Sequence, residues 1–219
     1  MKKIVLLLSA FLLGAAVLTG CAAQDEPYTQ KTYTPDEGLV SAVSIDVRDR
    51  EIEVTPSADE LIHIDYFENS REYYDISVSE EHVLTMTAVS EKEWTDLVGG
   101  KAPADVRKIS LQVPDALLDT LRISTTNADI SVDALTLTGD LSLTANGGDI
   151  SFEPLLVGNE IALDVKNGSI SGVVSGGWND YAISCKVKKG ESNLPAQKEG
   201  GGKKLSVSAN NGNVAIDIR

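Results

Sequence analysis

Three rows of twenty residues decide the fold of this chain: LRISTTNADISVDALTLTGD (121–140), LSLTANGGDISFEPLLVGNE (141–160) and IALDVKNGSISGVVSGGWND (161–180). A fourth row, 181–204, is four residues longer, and a fifth starts at Leu205. Self-similarity at a fixed period indicates a stack of structural repeats. The apolar residues align in the first, third and tenth columns, which contain Leu121, Leu141, Ile161 and Tyr181; Ile123, Leu143, Leu163 and Ile183; and Ile130, Ile150 and Ile170.

Apolar and polar residues alternate within each row, which is typical of strands that turn every second side chain toward one interior. Asn127, Gly147 and Asn167 share the column where each row must turn, and these residue types tolerate unusual backbone angles. We therefore predict an all-β, single-domain β-solenoid, similar to a right-handed parallel β-helix, with rungs of about 20 residues. Adjacent rungs should lie about 4.8 Å apart.

The same template fits residues 43–54, so the folded domain is predicted to cover 39–219. Residues 60–113 keep the alternation but lose the twenty-residue register, and we expect them to form irregular strands that cover one end of the stack. Residues 21–38 are polar, contain two prolines and show no apolar period, which predicts a flexible tether.

Residues 1–20 have the layout of an export signal, with Lys2 and Lys3 followed by an apolar run that is too short to span a membrane comfortably. The run ends in Leu18-Thr19-Gly20-Cys21, which resembles the bacterial lipobox. That resemblance implies cleavage before Cys21, lipid on the new N-terminal cysteine, and a lipid-anchored protein at the cell membrane or outer envelope surface. An ordinary signal peptide is the alternative.

The chain is acidic, with 19 basic and 33 acidic side chains and a formal net charge of −14. Cleavage of the leader removes two lysines, leaving 17 basic and 33 acidic side chains and a charge of −16. Such a chain should be repelled by nucleic acid and by anionic lipid head groups, so neither is an expected ligand. With Cys21 assigned to lipid, Cys185 has no intramolecular partner.

Several side chains are candidates for chemistry. Cys185 falls in the column of Thr125, Ala145 and Val165, which favours a buried small side chain over a reactive thiol. His63 and His82 lie on strand-like segments and could meet across a strand pair to bind metal, but no other ligand has a recognisable spacing. We expect both histidines to face solvent.

Acidic residues also share columns, where like charges one rung apart should repel. Either the carboxylates extend into water, where the high dielectric constant keeps their repulsion small, or a bound calcium ion offsets the repulsion. The sequence has no Gly-Gly-x-Gly-x-Asp calcium repeat, so we expect no metal and no cofactor. The alternative is a calcium ion bound by Asp140, Glu160 and Asp180. The columns are Asp129 and Asp149; Asp133 and Glu153; and Asp140, Glu160 and Asp180.

The two tryptophans are Trp94 and Trp178. Trp94 lies in the polar insertion EKEWTDLVGGKAPAD, where it could be an exposed binding aromatic or a lid over one end of the solenoid. We favour the lid, since exposed tryptophan is uncommon.

The sequence resembles the adhesin-like domain family of bacterial envelope proteins, a domain of unknown function. The resemblance rests on LQVPDALLDTLRISTTNADISV (111–132), on the repeated Asn-Gly or Asn-x-Asp corners before Ile-Ser, and on LSVSANNGNVAIDI (205–218). It implies a right-handed β-helix and no established catalytic residues. This chain has Asn127-Ala128 where a glycine is usual in the family.

We therefore expect a cell-envelope lipoprotein whose non-catalytic solenoid binds or scaffolds an envelope component, such as a polysaccharide or a protein. One alternative is a calcium-dependent enzyme acting on acidic polysaccharide. Against it, Arg122 and Lys166 are the only basic residues of rows 121–180, and they occupy different columns. Another alternative is a regulatory or structural partner of a membrane-bound envelope sensor.

Overall fold

The computed structural model describes residues 26–35, 40–90 and 102–219. Within these ranges the only helical residues form two short 3-10 turns, Ala104–Val106 and Trp178–Asp180, and no helix there is long and apolar enough to cross a membrane. The described strands are β1 (Thr29–Tyr33), β2 (Ala42–Asp46), β3 (Glu51–Pro56), β4 (His63–Glu68), β5 (Glu72–Val78), β6 (Val83–Ser90), β7 (Lys108–Val113), β8 (Thr120–Thr125), β9 (Ile130–Val132), β10 (Leu135–Leu137), β11 (Leu141–Ala145), β12 (Ile150–Val157), β13 (Glu160–Asn167), β14 (Ile170–Val174), β15 (Tyr181–Lys189), β16 (Gln197–Lys198), β17 (Lys203–Asn211) and β18 (Val214–Ile218).

The strands form two nine-stranded sheets. Sheet 1 has the order β1-β4-β7-β3-β9-β12-β14-β18, with β10 also paired to β12, and sheet 2 has the order β16-β15-β17-β13-β11-β8-β2-β6-β5. Neighbouring rungs pair in parallel, and the rungs other than residues 181–204 give strands to both sheets. A register shift between Phe152 and Leu155 interrupts the pairing of β12 with β14. Leu141 lies opposite both Leu121 and Ile161, as the twenty-residue columns predict. The all-β solenoid is thus confirmed.

One continuous hydrophobic core fills the space between the two sheets. It consists of the alternating apolar residues of both sheets, and most of them are fully buried. Burying one Leu or Ile side chain stabilises the fold by roughly 1.5–3 kcal/mol, so the columns supply the main driving force for stacking. Among the residues that the structure describes, Tyr181 is the largest fully buried side chain, and its hydroxyl donates to the carbonyl oxygen of Ser175 at 2.8 Å.

The last rung of the sequence is not the last rung in space. Strand β17 lies between β13 and β15, so that Leu205 pairs with Ile161 on one side and with Ile183 on the other. The prediction that row 181–204 stacks directly on row 161–180 is therefore wrong. Aligning the rows in columns treats consecutive rows as neighbours in space. The fourth row is longer, which lets the chain return and place the fifth row between the third and the fourth.

The end formed by residues 60–113 is more regular than predicted. Strand β6 pairs in parallel with β2, and β7 pairs in parallel with β3, so these two strands make one further rung. Of the strands described within residues 60–113, β4 and β5 run antiparallel to β7 and β6 and cover this end, as expected for a cap.

Strand β1 lies within the predicted tether of residues 21–38 and pairs antiparallel with β4. For residues 29–33 the tether prediction is therefore wrong. Four of the five β1 residues are exposed and the last is partly buried, so the strand shows no apolar alternation that could have revealed it.

A buried polar cluster ties the covering strand β5 to the first rung. The Arg50 guanidinium pairs with the Glu72 carboxylate at 2.7 Å, and its Nε donates to the Tyr74 hydroxyl at 2.6 Å. The Thr125 hydroxyl donates to the carbonyl oxygen of Arg50 at 2.7 Å. Burial raises the pKa of Tyr74 above its usual value. Because each charge is paired, the cluster fixes the cap without leaving a buried charge uncompensated.

The edge of β18 is covered by residues 191–193: the Val214 N–H donates to the carbonyl oxygen of Glu191 at 2.8 Å, and the Asn193 N–H donates to the carbonyl oxygen of Val214 at 3.2 Å. The Asn193 amide donates to the carbonyl oxygen of Ile216 at 2.9 Å and accepts the Ile216 N–H at 3.0 Å, as a paired strand would. Covered edges are protected from pairing with other chains.

Candidate binding surface

A shallow depression of about 350 Å³ lies on the outer face of sheet 2. Leu163 and Val207 also line it, although their side chains are buried in the core beneath. Its polar lining comes from outward-facing residues of four adjacent strands: Ser142 and Thr144 of β11, Asp164 of β13, Ser206 and Ser208 of β17, and Ser184 and Lys186 of β15.

Strand register explains the shape of this depression. One outward column consists of Arg122, Ser142, Ala162, Ser206 and Ser184. The four residues after Arg122 have short side chains, which leaves the surface low beside the long arginine. The next outward column places Thr144, Asp164, Ser208 and Lys186 side by side. The rungs hold these groups at intervals of about 4.8 Å.

The lining is suited to hydrogen bonding. A serine or threonine hydroxyl can donate one hydrogen bond and accept others, although the Ser206 hydroxyl already donates to the Glu160 carboxylate at 3.2 Å. Asp164 and Lys186 add one exposed charge of each sign. An open, polar and regularly spaced surface of this kind fits an extended chain rich in hydroxyl or amide groups.

The Asp129 and Asp149 column is a structural ladder. The Asp129 carboxylate accepts the backbone N–H of Asp149 at 2.8 Å, and the Asp149 carboxylate accepts the backbone N–H of Ser169 at 2.7 Å. Each carboxylate thus caps the next rung, which offsets the repulsion between the two acids. Asp133 and Glu153 are both exposed to solvent.

The expected column of Asp140, Glu160 and Asp180 does not form. Because β17 is inserted next to β13, Lys204 lies opposite Glu160. Asp180 lies instead in the 3-10 turn, where its carboxylate accepts the Gly177 N–H at 2.7 Å. In residues 26–35, 40–90 and 102–219, no three His, Cys, Asp or Glu side chains converge as metal ligands.

Cys185 is buried, as predicted, but it occupies a different column. It pairs with Val207, which pairs with Leu163, so it belongs to the third column of the rows rather than the fifth. The shift is two residues, and the side-chain period of a strand is two, so the inward direction is preserved. The Cys185 Sγ lies 3.3 Å from the Ser192 hydroxyl.

The two histidines do not meet across a strand pair, because only His63 lies on a strand. His63 is partly buried on β4, and its ring lies 2.9 Å from the Asp59 carboxylate and 2.9 Å from the Thr34 hydroxyl. The hydrogen bond with His63 lowers the pKa of the Asp59 carboxyl group. His82 is exposed, but it lies in the turn between β5 and β6 rather than on a strand.

The other candidate residues have different outcomes. Trp178 is 48% exposed in its 3-10 turn. Trp94, the leader, the lipobox residues Leu18, Thr19 and Gly20, and Cys21 lie outside the described residues.

Sequence reasoning missed the depression. Its hydroxyl groups were visible as the outward positions of LSLTA (141–145) and LSVSA (205–209), but serine and threonine are common on any solvated strand face. The decisive information was the insertion of β17, which brings Ser206 and Ser208 between β13 and β15.

Comparisons with known proteins agree on the fold. The chain is similar to a candidate cell adhesion protein from Clostridium sporogenes, with a TM-score of 0.52, 10% identity, and coverage of 88% of this chain and 100% of that one. It is also similar to a candidate adhesin from Bacteroides fragilis, with a TM-score of 0.39, 12% identity, and coverage of 89% and 98%. At 10% identity the likeness to the Clostridium protein shows the fold alone. No curated protein matched the chain.

The family comparison covers most of the chain. The model of the Toastrack DUF4097 family matches residues 40–217, which include every strand from β2 to β17 and nearly all of β18. The match confirms the resemblance to an adhesin-like domain of unknown function, and the chain belongs to the Toastrack DUF4097 family.

Proposed function

We propose that this protein is a lipid-anchored envelope lipoprotein whose solenoid binds an extended envelope polymer on the outer face of sheet 2, without catalysing a reaction. The observation that carries the proposal is the depression lined by Ser142, Thr144, Ser206 and Ser208. Its groups can hydrogen bond along a polymer.

Cys185 and His63, two side chains capable of chemistry, lie elsewhere. Cys185 is buried in the core, and His63 contacts Asp59 at the capped end of the solenoid. Neither lines the depression. The proposal therefore assigns binding to this surface, in agreement with the family's adhesin-like relatives.

The proposed anchor at Cys21 would keep the domain close to a membrane. Eight peptide units separate Cys21 from Thr29, the first residue of β1, and each spans at most about 3.5 Å. Strand β1 would therefore lie within about 28 Å of the lipidated residue. Since β1 is the outermost strand of sheet 1 at the capped end, that end would face the membrane, and β15 and β16 would point away.

A steric block tests the proposed surface. Ala162→Tyr places a large side chain in the centre of the depression, and the matched variant Ala215→Tyr places it on the outer face of sheet 1. Binding of the purified full chain to fragments of isolated bacterial envelope is measured by sedimentation, with thermal unfolding as the control for folding. We expect the Ala162 variant to lose at least about tenfold in affinity, and the Ala215 variant to keep it.

Equal binding by both variants would contradict the assignment of this face. A chain that binds no envelope fraction would contradict the proposed function as a whole. Retained lipid labelling after Cys21→Ala would contradict the anchor.

A further inference from the structure

The net charge of this chain is strongly segregated. Residues 181–219 carry seven basic and three acidic side chains, whereas residues 21–180 carry ten basic and thirty acidic side chains. The formal charges of the two parts are therefore +4 and −20. Because β15 and β16 form one extreme of sheet 2, an acidic protein has one basic end.

Part of this basic end lies beside the depression. Lys186 lines it from β15, and Lys188 is exposed two residues further along the same strand, about 6.6 Å away along the backbone. The register of β13, β17 and β15 puts Lys166 in the column of Lys188, two strands away, or about 9.6 Å. Lys204 is exposed on the intervening strand.

An aromatic corner adjoins the lysines. Trp178 is half-exposed, and the Lys198 ammonium lies 5.6 Å from its ring centroid while donating to the carbonyl oxygen of Tyr181 at 2.7 Å. The Lys203 ammonium lies 5.8 Å from the centroid of the Tyr181 ring. The corner thus combines an accessible aromatic ring with two positive charges, and exposed tryptophan commonly marks a binding contact.

We infer that the basic end binds an anionic polysaccharide with one carboxylate or phosphate in each repeating unit. The lysines on β13, β15 and β17 pair with its charges, the hydroxyl groups of the depression bond its sugar hydroxyls, and Trp178 stacks on a sugar ring at the corner. This inference rests on the proposed function and names the class of polymer.

Two other anionic partners fit the geometry less well. A flat anionic membrane would meet only one face at a time, whereas the charges are divided between the outer face of sheet 2 and the aromatic corner. The acidic end of a second copy would need to approach the edge of the stack, which Asn193 and β16 cover.

Charge-neutralising pairs test the inference. Lys186→Gln with Lys188→Gln removes two exposed charges from the basic end, and Lys31→Gln with Arg48→Gln removes two exposed charges elsewhere, so both variants have the same net charge. The purified full chain is titrated with polygalacturonate, with a phosphomannan and with neutral dextran at about 50 and 200 mM salt. Trp178→Ala tests the corner.

We expect the basic-end pair to lose about tenfold in affinity for one of the two anionic polymers, and the control pair less than about twofold. Which polymer responds identifies carboxylate or phosphate as the recognised group. Affinity should fall at the higher salt concentration, and Trp178→Ala should weaken binding at both.

Other outcomes overturn the inference. Equal losses in the two charge variants would show an effect of net charge alone. Dextran binding that Ala162→Tyr abolishes and the lysine pair leaves unchanged would keep the proposed function but refute the anionic polymer. Tighter binding to anionic phosphatidylglycerol vesicles, or self-association that the lysine pair abolishes, would assign the basic end to a membrane or to a second copy.

Discussion

The corner glycines set how closely the rungs can stack, and Gly168→Ala tests this directly. A Cβ at Gly168 would lie 2.0 Å from the carbonyl oxygen of Gly148 on the neighbouring rung, where ordinary contacts begin at about 3.4 Å. The corner would have to move by more than 1 Å. That movement would disturb the bond from the Gly168 N–H to the carbonyl oxygen of Asn211 at 2.9 Å and the bond from the Ser169 N–H to Asp149 at 2.7 Å.

Overpacking costs about 1–3 kcal/mol, and each disturbed hydrogen bond costs about 1 kcal/mol. We therefore expect Gly168→Ala to lower the free energy of unfolding by about 3–5 kcal/mol. For a domain of this size, the melting temperature should fall by roughly 6–20 °C in a calorimetric or circular dichroism experiment.

Gly202→Ala is the matched control, because a Cβ at Gly202 meets no atom within 4 Å. Its melting temperature should stay within about 2 °C of the wild type. A Gly168 variant that melts together with the Gly202 variant would refute the reasoning that the corner backbone is in contact between rungs.

Three further measurements address other parts of the molecule. The pair Ala162→Cys and Ser206→Cys should form a disulfide under mild oxidation, because these residues are register partners. The control pair Ala162→Cys and Ala182→Cys should not, because Ala182 is the register partner of Lys204. A gel-shift assay that shows the reverse would refute the insertion of β17 between β13 and β15. Glu72→Ala should lower the free energy of unfolding by about 3–5 kcal/mol in urea, because it leaves a buried guanidinium unpaired, and a loss below about 1 kcal/mol would contradict this. Burial raises the pKa of Tyr74, so the folded state holds the phenolic proton more tightly than the unfolded state. The free energy of unfolding should therefore decline as pH rises above about 10. A melting temperature that does not change between about pH 9 and 11 would contradict this.

The sequence was sufficient to predict the inward columns because the period of twenty and the period of two are both recorded in the apolar residues. Leu121, Leu141 and Ile161 stack as their spacing indicates. Cys185 is buried as predicted although it occupies a different column from the one predicted, and the reason is physical. A displacement of two residues leaves a strand side chain on the same face, so burial is more predictable than the identity of the neighbour.

The order of the rungs could not be read from the same pattern. Every row presents similar apolar columns, so β15 and β17 are both acceptable neighbours for β13 on the basis of hydrophobicity. The polar pairings that result, such as Lys204 with Glu160, depend on which strand is chosen. Strand β1 was hidden for a related reason, since a strand that is exposed on nearly all its residues needs no apolar alternation.

The inserted strand links the binding surface to the integrity of the fold. Strand β17 supplies Ser206 and Ser208 to the depression, while Leu205 and Val207, the residues between and before them, are buried core residues that join β13 to β15. The outward side chains of β17 thus belong to the proposed binding surface, and the inward side chains belong to the core. Because backbone pairing holds both sets in register, a change in the inward set would alter the spacing of the outward hydroxyl groups. The return of the chain to β17 therefore both joins β13 to β15 and creates the surface to which we assign binding.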